Sequence, residues 1–219
     1  MPMPVETIQR LREIMPPPEH PYAAGTPDAW LPVETQLGFT LPHDYKEFIN
    51  AYGSGRIAHL VSVNSPFDPR QGTNLMQAAE SELGSFRQAR ARDVAECPYP
   101  LYPDPEGLFP WGTDAQEHAL FWWQVGPPDS WPVVVTASRA SYFWRFEQTL
   151  TEMLVSWLTW ERFYEPFPAW YLDPTQFPDE DEIDEEGHGS PPRLPSRPRP
   201  PEEARALFKP YGPPRDLNS

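Results

Sequence analysis

The chain has 219 residues, including 32 prolines, 9 tryptophans and 12 phenylalanines, and its formal net charge at pH 7 is −15. This length suits one domain with an extension, and the aromatic residues supply enough apolar surface for a packed core. The negative charge disfavours direct binding to nucleic acid or to an anionic membrane, because both repel it, and it favours a basic partner. Solubility alone is an equally good explanation of the charge.

Cysteine content and the N-terminal residues bear on the compartment. Cys97 is the single cysteine, which excludes an intrachain disulfide and a cysteine-based zinc site. The first residues lack the apolar run of a signal peptide, and no window reaches the ~20 apolar residues that a membrane span needs. We therefore expect a cytoplasmic protein.

Apolar residues at helical spacing predict three helices near the start of the chain. The first covers residues 5–15 and ends at three consecutive prolines, after which a loop containing Pro and Gly follows. The second is short and covers residues 30–37. The third lies between Pro42 and Gly53, with Thr40 as its candidate cap and an apolar stripe along one side.

The middle of the chain is predicted to contain a strand, a long helix and a loop. β-Branched and apolar residues predict one strand over residues 57–63. Asn74 is the expected cap of a helix that extends to about residue 91. Five prolines in residues 97–110 predict a loop, because each proline removes a backbone hydrogen-bond donor.

Aromatic residues and valines dominate the segment from residue 119 to residue 146. Three apolar runs, at residues 119–124, 133–137 and 142–146, predict strands of a sheet that helices cover. A closing helix is predicted over residues 147–163. This order of elements predicts an α+β fold, in which N-terminal helices and a C-terminal helix flank a mostly antiparallel central sheet.

The composition changes after about residue 171. Residues 179–186 read DEDEIDEE and residues 191–201 read PPRLPSRPRPP. Such segments bury too little apolar area to offset the entropy cost of ordering, so we expect a disordered tail, with room for a helical turn at 202–208. The predicted division of the chain is an N-terminal helix and linker over residues 1–28, a folded domain over residues 29–170, and an acidic, Pro/Arg-rich tail over residues 171–219.

The sequence contains no recognisable catalytic or metal-binding motif. The five histidines form no HxH or HxxxH pair, and there is no Gly-rich phosphate loop, no G-x-S-x-G elbow and no C-x-x-C. Cys97 follows Glu96, and a neighbouring carboxylate disfavours the thiolate. We expect no enzymatic activity, no cofactor and no metal site, and an enzyme of unrecognised type is the least favoured alternative.

Two pairs of carboxylates are candidates for contact with a partner, namely Asp44 with Glu47 and Asp114 with Glu117. Acid–base catalysis would require such groups to be partly buried, with separated pKa values. Both pairs stand among polar residues, so we expect them on the solvated surface. On this basis the four residues are predicted partner contacts and not catalytic groups.

Trp122 and Trp123 are consecutive in a predicted strand, so their side chains must point to opposite faces of the sheet. Residues 117–135 contain no Lys or Arg, which disfavours a stacking platform for nucleic acid. Core packing is therefore the expected role of most of the aromatic residues. If one face is uncovered, an exposed aromatic patch there would be typical of a protein-binding site.

Several stretches together resemble the SUKH superfamily over about residues 30–160. LGFTLPHDYKEF at residues 37–48, followed by NAYG at 50–53, resembles the opening signature of that superfamily. LFPWGTD at 108–114 and ALFW at 119–122 are similar to its central turn and strand. The matches to its closing strands and terminal helix are WPVVV at 131–135, WRF at 144–146 and the predicted helix over 150–158.

The resemblance implies an α+β domain that acts as a binding module. Many bacterial members are immunity proteins that neutralise a toxin, often a nuclease or a deaminase, and fungal relatives act in cell-wall synthesis and signalling. The family has no catalytic residues to transfer to this chain. We therefore expect a protein partner, such as a basic toxin domain whose active site the chain occludes.

A regulatory scaffold is the alternative function, with the acidic and Pro-rich tail recruiting partners. Deletion of residues 172–219 would separate the two hypotheses, because loss of partner binding would favour the scaffold. The oligomeric state stays open at this point.

Overall fold

The fold is α+β, as predicted. The computed structural model describes residues 4–58, 61–114, 117–136, 143–159 and 207–212, with side chains described from Thr7 onward. Within these residues five helices surround one antiparallel sheet of seven strands. None of the helices in these ranges is long and apolar enough to cross a membrane.

The five helices lie close to their predicted positions. Gly38 ends the second helix in a left-handed conformation, with φ of 75°, and Gly53 ends the third. Asn74 caps the fourth helix, since its side chain accepts hydrogen bonds from the backbone N–H groups of Met76 and Gln77. The helices are α1 (Pro4–Ile14), α2 (Trp30–Leu37), α3 (His43–Tyr52), α4 (Leu75–Arg92) and α5 (Leu150–Thr159).

The predicted cap of α3 is wrong. Pro42 precedes the helix and makes no side-chain cap bond. The first N–H group of the helix, that of His43, donates instead to the carboxylate of Asp129 at 2.6 Å. A cap from 86 residues away along the chain leaves no local signal, which explains why the sequence pattern indicated Thr40.

The strands are β1 (Gly55–Ile57), β2 (Val61–Val63), β3 (Leu108–Asp114), β4 (Ala119–Trp123), β5 (Val133–Thr136), β6 (Phe143–Phe146) and β7 (Phe208–Pro210). They form one sheet with the order β6-β5-β4-β3-β2-β1-β7, and every neighbouring pair is antiparallel. The strands predicted over residues 119–146 are present as β4, β5 and β6.

Two predictions about strands are wrong. Residues 57–63 are not one strand, because β1 and β2 form a hairpin in which Gly55 pairs with Val63. The chain turns after Ile57, where Ala58 has a φ of 48°. Residues 108–110 belong to β3 and not to a loop, because a bulge between Pro110 and Gly112 accommodates the proline within a central strand.

The expectation of disorder throughout the tail is also corrected for its described part. Residues 207–212 lie along β1, where the Tyr211 N–H group donates to the Ser54 carbonyl at 2.9 Å. Leu207 and Phe208 are buried. Burial of this apolar pair offsets the entropy cost of ordering the segment, although the average composition of the tail predicted disorder. The rest of the tail, with its acidic run and the segment at 202–206, lies outside the described residues.

The two faces of the sheet have different coverings. On the face that we call the inner face, Trp122 packs edge-on against Tyr45 of α3, with the ring centroids 4.9 Å apart. Buried residues of α1, α2 and α5, and Leu75 and Ala79 from the first turns of α4, join the same hydrophobic cluster. On the outer face, Phe121 packs against Phe86 of α4 at 5.3 Å, and the two residues belong to a second, smaller cluster.

Candidate partner-binding surface

Asp44 lies inside the domain and not on its surface, where the sequence pattern predicted it. Its carboxylate accepts hydrogen bonds from the backbone N–H group of Thr151 at 2.9 Å and from the Thr151 hydroxyl at 3.0 Å. Burial raises the pKa of the Asp44 carboxyl, and the hydrogen bonds from Thr151 only partly oppose this effect. Asp44 therefore ties α3 to the first turn of α5 and offers no carboxylate to a partner.

Asp114 is buried as well, with 1% of its side chain exposed. Its two carboxylate oxygens contact the backbone N–H group and the Nδ1 atom of His118, at 2.8 and 2.7 Å. These contacts close the connection between β3 and β4. A polar neighbour in the sequence, His118, is thus the hydrogen-bonding partner of the Asp114 carboxylate and does not indicate a solvated position.

Glu47 and Glu117 are the two predicted contacts that reach solvent. Glu47 stands on α3 and forms an ion pair with Arg12 of α1 at 3.3 Å, with about a third of its side chain exposed. Glu117 is exposed in the β3–β4 connection and has a φ of 65°. The structure does not unite the four predicted residues in one site, and contact of Glu47 or Glu117 with a partner stays a prediction.

The described residues show no metal cluster, since no three His, Cys, Asp or Glu side chains among them come together as ligands. Cys97 is buried, and burial raises the pKa of its thiol despite the nearby Arg90. Arg90 also donates to the carbonyls of Cys97 and Tyr99 at 2.6 and 2.8 Å. Cys97 therefore belongs to the packing between α4 and the following loop.

The two adjacent tryptophans point to opposite faces, as predicted. Trp122 is fully buried on the inner face, where its ring stacks on that of Phe109 at 6.2 Å. Trp123 is half-buried on the outer face. Alternation along β4 thus sends one indole into the core and the other to the boundary with solvent.

A group of half-buried aromatic rings surrounds Trp123 on the outer face. The Arg145 guanidinium lies 4.3 Å from the centroid of the Trp123 ring, and Tyr99 meets the same ring edge-on at 5.4 Å. Phe143 contacts Tyr99 at 5.4 Å. We call these four residues the outer aromatic patch. Trp, Tyr and Arg are the residue types that most often dominate binding energy at protein interfaces.

Exposed carboxylates lie along one end of the sheet. The register pairs Leu108 with Trp123 and Val133 with Phe146, so the start of β3, the end of β4, the start of β5 and the end of β6 share that end. The exposed acids in the loops that leave it, which we call the acidic rim, are Asp104, Glu106, Asp129 and Glu147.

The acidic rim and the outer aromatic patch are contiguous. Arg145 lies over Trp123 and also forms an ion pair with Glu147 at 2.6 Å. A backbone hydrogen bond from Gln124 to the Gly107 carbonyl, at 3.3 Å, joins two of the acidic loops. The result is a surface in which aromatic anchors border negative charge.

The acidity of the chain extends beyond the tail. Residues 1–159 carry 19 Asp and Glu against 10 Lys and Arg, so this part alone is strongly negative.

The sequence pattern did not predict the acidic rim, because its members come from three separate loops. Only the strand register shows that these loops share one end of the sheet.

Comparison with known proteins agrees with the fold and with the sequence motifs. The family described as SMI1-KNR4 cell-wall (SUKH_6) matches residues 28–154, which is more than half of the chain. Searches among curated proteins and among solved structures returned no significant match. The chain belongs to the SMI1-KNR4 family within the SUKH superfamily.

Proposed function

We propose that the chain is an immunity-type binding protein that neutralises a basic toxin domain by covering its active site. Membership of the SUKH superfamily supports a protein-binding role. The observation that carries the proposal is the contact between the acidic rim and the outer aromatic patch at Arg145. We place this encounter in the cytoplasm.

The two parts of this surface have different physical roles. Carboxylates of the acidic rim attract a basic domain over several ångströms and occupy positions that phosphate groups of a nucleic acid would otherwise fill. The half-buried rings of Trp123 and Tyr99 then exclude water at the centre of the contact. Occlusion of this kind requires no catalytic group in the binding protein.

Co-expression with the product of the neighbouring gene, assayed as the toxin, tests the proposal. The wild-type chain is expected to restore growth and to bind the purified toxin. A triple variant of the acidic rim, Asp104→Asn/Glu106→Gln/Glu147→Gln, is expected to associate about tenfold more slowly at low salt, since fewer charges attract the partner.

A second triple variant separates local charge from total charge. Glu13→Gln/Glu19→Gln/Glu80→Gln removes the same number of exposed carboxylates from α1, the loop after it and α4. It is expected to retain the wild-type association rate. Equal slowing in both triple variants would assign the effect to net charge, and failure to protect against any adjacent toxin would count against the immunity role.

A scaffold function remains the second candidate because β7 brings the end of the tail back to the folded body. Deletion of residues 172–219 would remove β7, so loss of binding could reflect loss of a strand. A deletion of residues 172–200 spares the described residues 207–212. Loss of partner binding in this variant would favour the scaffold, and unchanged binding would favour the folded body as the contact surface.

A further inference from the structure

β7 occupies the edge of the sheet beside β1 in the manner of a bound peptide. The Ala58 N–H group donates to the Leu207 carbonyl at 2.6 Å, and the Tyr211 N–H group donates to the Ser54 carbonyl at 2.9 Å. Between these bonds, Arg56 pairs with Lys209. The chain therefore binds its own residues 207–211 by main-chain hydrogen bonds along an otherwise open strand.

The Phe208 side chain of this segment packs against α3 and beside Gly55. The Phe208 ring lies 5.2 Å from Tyr52 and 6.2 Å from Phe48, both on α3. Gly55 makes room for it, because a Cβ atom there would stand 2.4 Å from Phe208 Cζ. Any larger residue at position 55 would therefore clash with the Phe208 ring unless that ring moved away.

The other end of the segment is held by polar and cationic groups. The Tyr211 hydroxyl lies 2.8 Å from Ser62 Oγ. The Arg70 guanidinium lies 4.3 Å from the centroid of the Tyr211 ring, and its Nε–H group donates a 2.9 Å hydrogen bond to the Asp68 carboxylate, which fixes its position. We call the surface that contacts this segment the edge slot, defined by Phe48, Tyr52, Gly55, Ser62 and Arg70.

The segment has the properties of a separable ligand. It lies outside the family match over residues 28–154, and residues 160–206 separate it from α5 in the sequence. Leu207 and Phe208 are its buried side chains, whereas Lys209 and Gly212 are exposed. Tyr211 and Leu207 form backbone hydrogen bonds with the residues that flank β1, and backbone direction alternates along a strand, so the nitrogen of Pro210 points away from β1. The proline therefore ends the sheet without removing a hydrogen bond from the β1–β7 pair.

We propose that the edge slot is a binding site for an extended peptide, and that residues 207–211 are its tethered ligand. The slot fits a strand with two adjacent apolar residues, the second of them Phe, followed three positions later by Tyr. A partner that presents such a segment docks by adding a strand to β1 after displacing β7. The proposal goes beyond toxin neutralisation and does not depend on it.

A labelled peptide with the sequence of residues 205–212, RALFKPYG, tests the site in the full-length chain. The variant Phe208→Ala/Tyr211→Ala weakens the tethered ligand and leaves every residue of the edge slot unchanged. Fluorescence polarisation is expected to show at least about tenfold tighter binding to this variant than to the wild type, whose slot is filled at a high effective concentration.

Two controls define the contact. A peptide carrying Phe208→Ala is expected to bind at least about tenfold more weakly, because it lacks the buried ring. Adding Gly55→Val to the double variant is expected to abolish binding, since the valine side chain takes the place of Phe208. Absence of binding to a double variant that circular dichroism shows to be folded would overturn the proposal, as would equal binding to the wild type.

Hydrogen exchange of the unmodified chain gives a second measurement that needs no variant. If β7 leaves as a unit, the Ala58 and Tyr211 amides exchange at least about tenfold faster than the Asn64 amide, which bonds to Trp111 within the sheet. Equal exchange at all three sites would make β7 an integral strand and overturn the proposal. A wild-type dimer that Phe208→Ala converts to a monomer would show that the strand comes from a second copy, which would overturn the assignment to a tethered ligand.

Discussion

The inner and outer faces of the sheet are built from the same strands but have different coverings. On the inner face, Phe109, Trp111 and Trp122 are fully buried in a cluster that residues of all five helices share, α4 contributing Leu75 and Ala79 from its first turns. On the outer face, α4 covers the middle of the sheet, and Trp123 and Phe143 remain half-buried beside it.

This difference separates two uses of aromatic residues. A fully buried indole contributes to the free energy of unfolding, whereas an indole at the boundary with solvent retains apolar area that a partner can cover. Among the described residues, the indole of the inner face is therefore a stability residue, and the indole of the outer face is the one with area left for contact. Substitutions on the two faces should differ in the same way.

The largest expected effect is that of Trp122→Ala. Removal of a fully buried indole on the inner face should lower the free energy of unfolding by about 3–5 kcal/mol, because it leaves a cavity among Tyr45, Phe109 and Trp111. Trp123→Ala on the outer face should cost about 1–2 kcal/mol. Urea unfolding followed by circular dichroism measures both values, and equal costs would contradict the distinction between the faces.

Asn74→Ala is expected to have the next largest effect, because it releases the first turn of α4, the helix that also covers the outer face. The Asn74 amide donates to the carbonyls of Pro66 and Asp68, and its oxygen accepts from two N–H groups of α4. Loss of these bonds should cost about 2–3 kcal/mol. Thermal unfolding measures this cost, and increased binding of a dye specific for apolar surface would report loosening of α4.

Gln77→Ala is the matched control for this change, since Gln77 is exposed in the first turn of the same helix. It should change the free energy of unfolding by less than about 0.5 kcal/mol. If both variants lose the same stability, the cap is not what holds α4 against the sheet.

Asp44→Ala should cost about 1–2 kcal/mol on the inner side, because two donors of Thr151 lose their acceptor. The pH dependence has a defined sign. Since burial raises the pKa of Asp44 in the folded chain, the native state retains a proton that the unfolded chain releases above its ordinary pKa. The contribution of Asp44 to stability therefore falls as pH rises from about 4 through the raised pKa.

Asp44→Asn isolates this titration, because it keeps an oxygen acceptor and removes the ionisable group. The difference in unfolding free energy, wild type minus variant, should decrease as pH rises from 4 to 7. Thermal unfolding in a series of buffers measures it. A difference that grows with pH would mean that the ionised carboxylate is stabilised by Thr151 more than it is destabilised by burial.

The sequence predicted best those elements whose signals are local. Asn74 and the helix-ending Gly38 and Gly53 act on backbone groups within a few residues, so the boundaries of α2, α3 and α4 could be predicted closely. The β1–β2 hairpin could not, because its turn begins at Ala58, which carries no Gly or Pro signal.

The candidate surfaces depended on contacts between distant residues. Asp44 has Thr151 as its partner 107 residues away, so its polar sequence neighbours predicted the wrong environment. β7 pairs with a strand about 150 residues earlier, and the composition of the tail masked its two apolar residues. The alternation of Trp122 and Trp123 was predictable, because the period of a strand determines it.

Arg145→Ala is expected to have the smallest effect on stability and thus gives the most specific test of the outer face. Arg145 is 41% exposed, and it interacts with the Trp123 ring and with Glu147, so its loss should cost about 0.5–1 kcal/mol. If the outer aromatic patch contacts a partner, the same change should weaken binding by about tenfold or more, as measured by calorimetry.

Arg56→Ala is the control for this change. Arg56 is exposed on the outer face in β1, near the opposite edge of the sheet, so its loss should affect neither stability nor partner affinity. Equal partner affinity in the wild type and in Arg145→Ala would contradict a contact centred on the outer aromatic patch, because Trp, Tyr and Arg side chains at the centre of an interface most often dominate the binding energy.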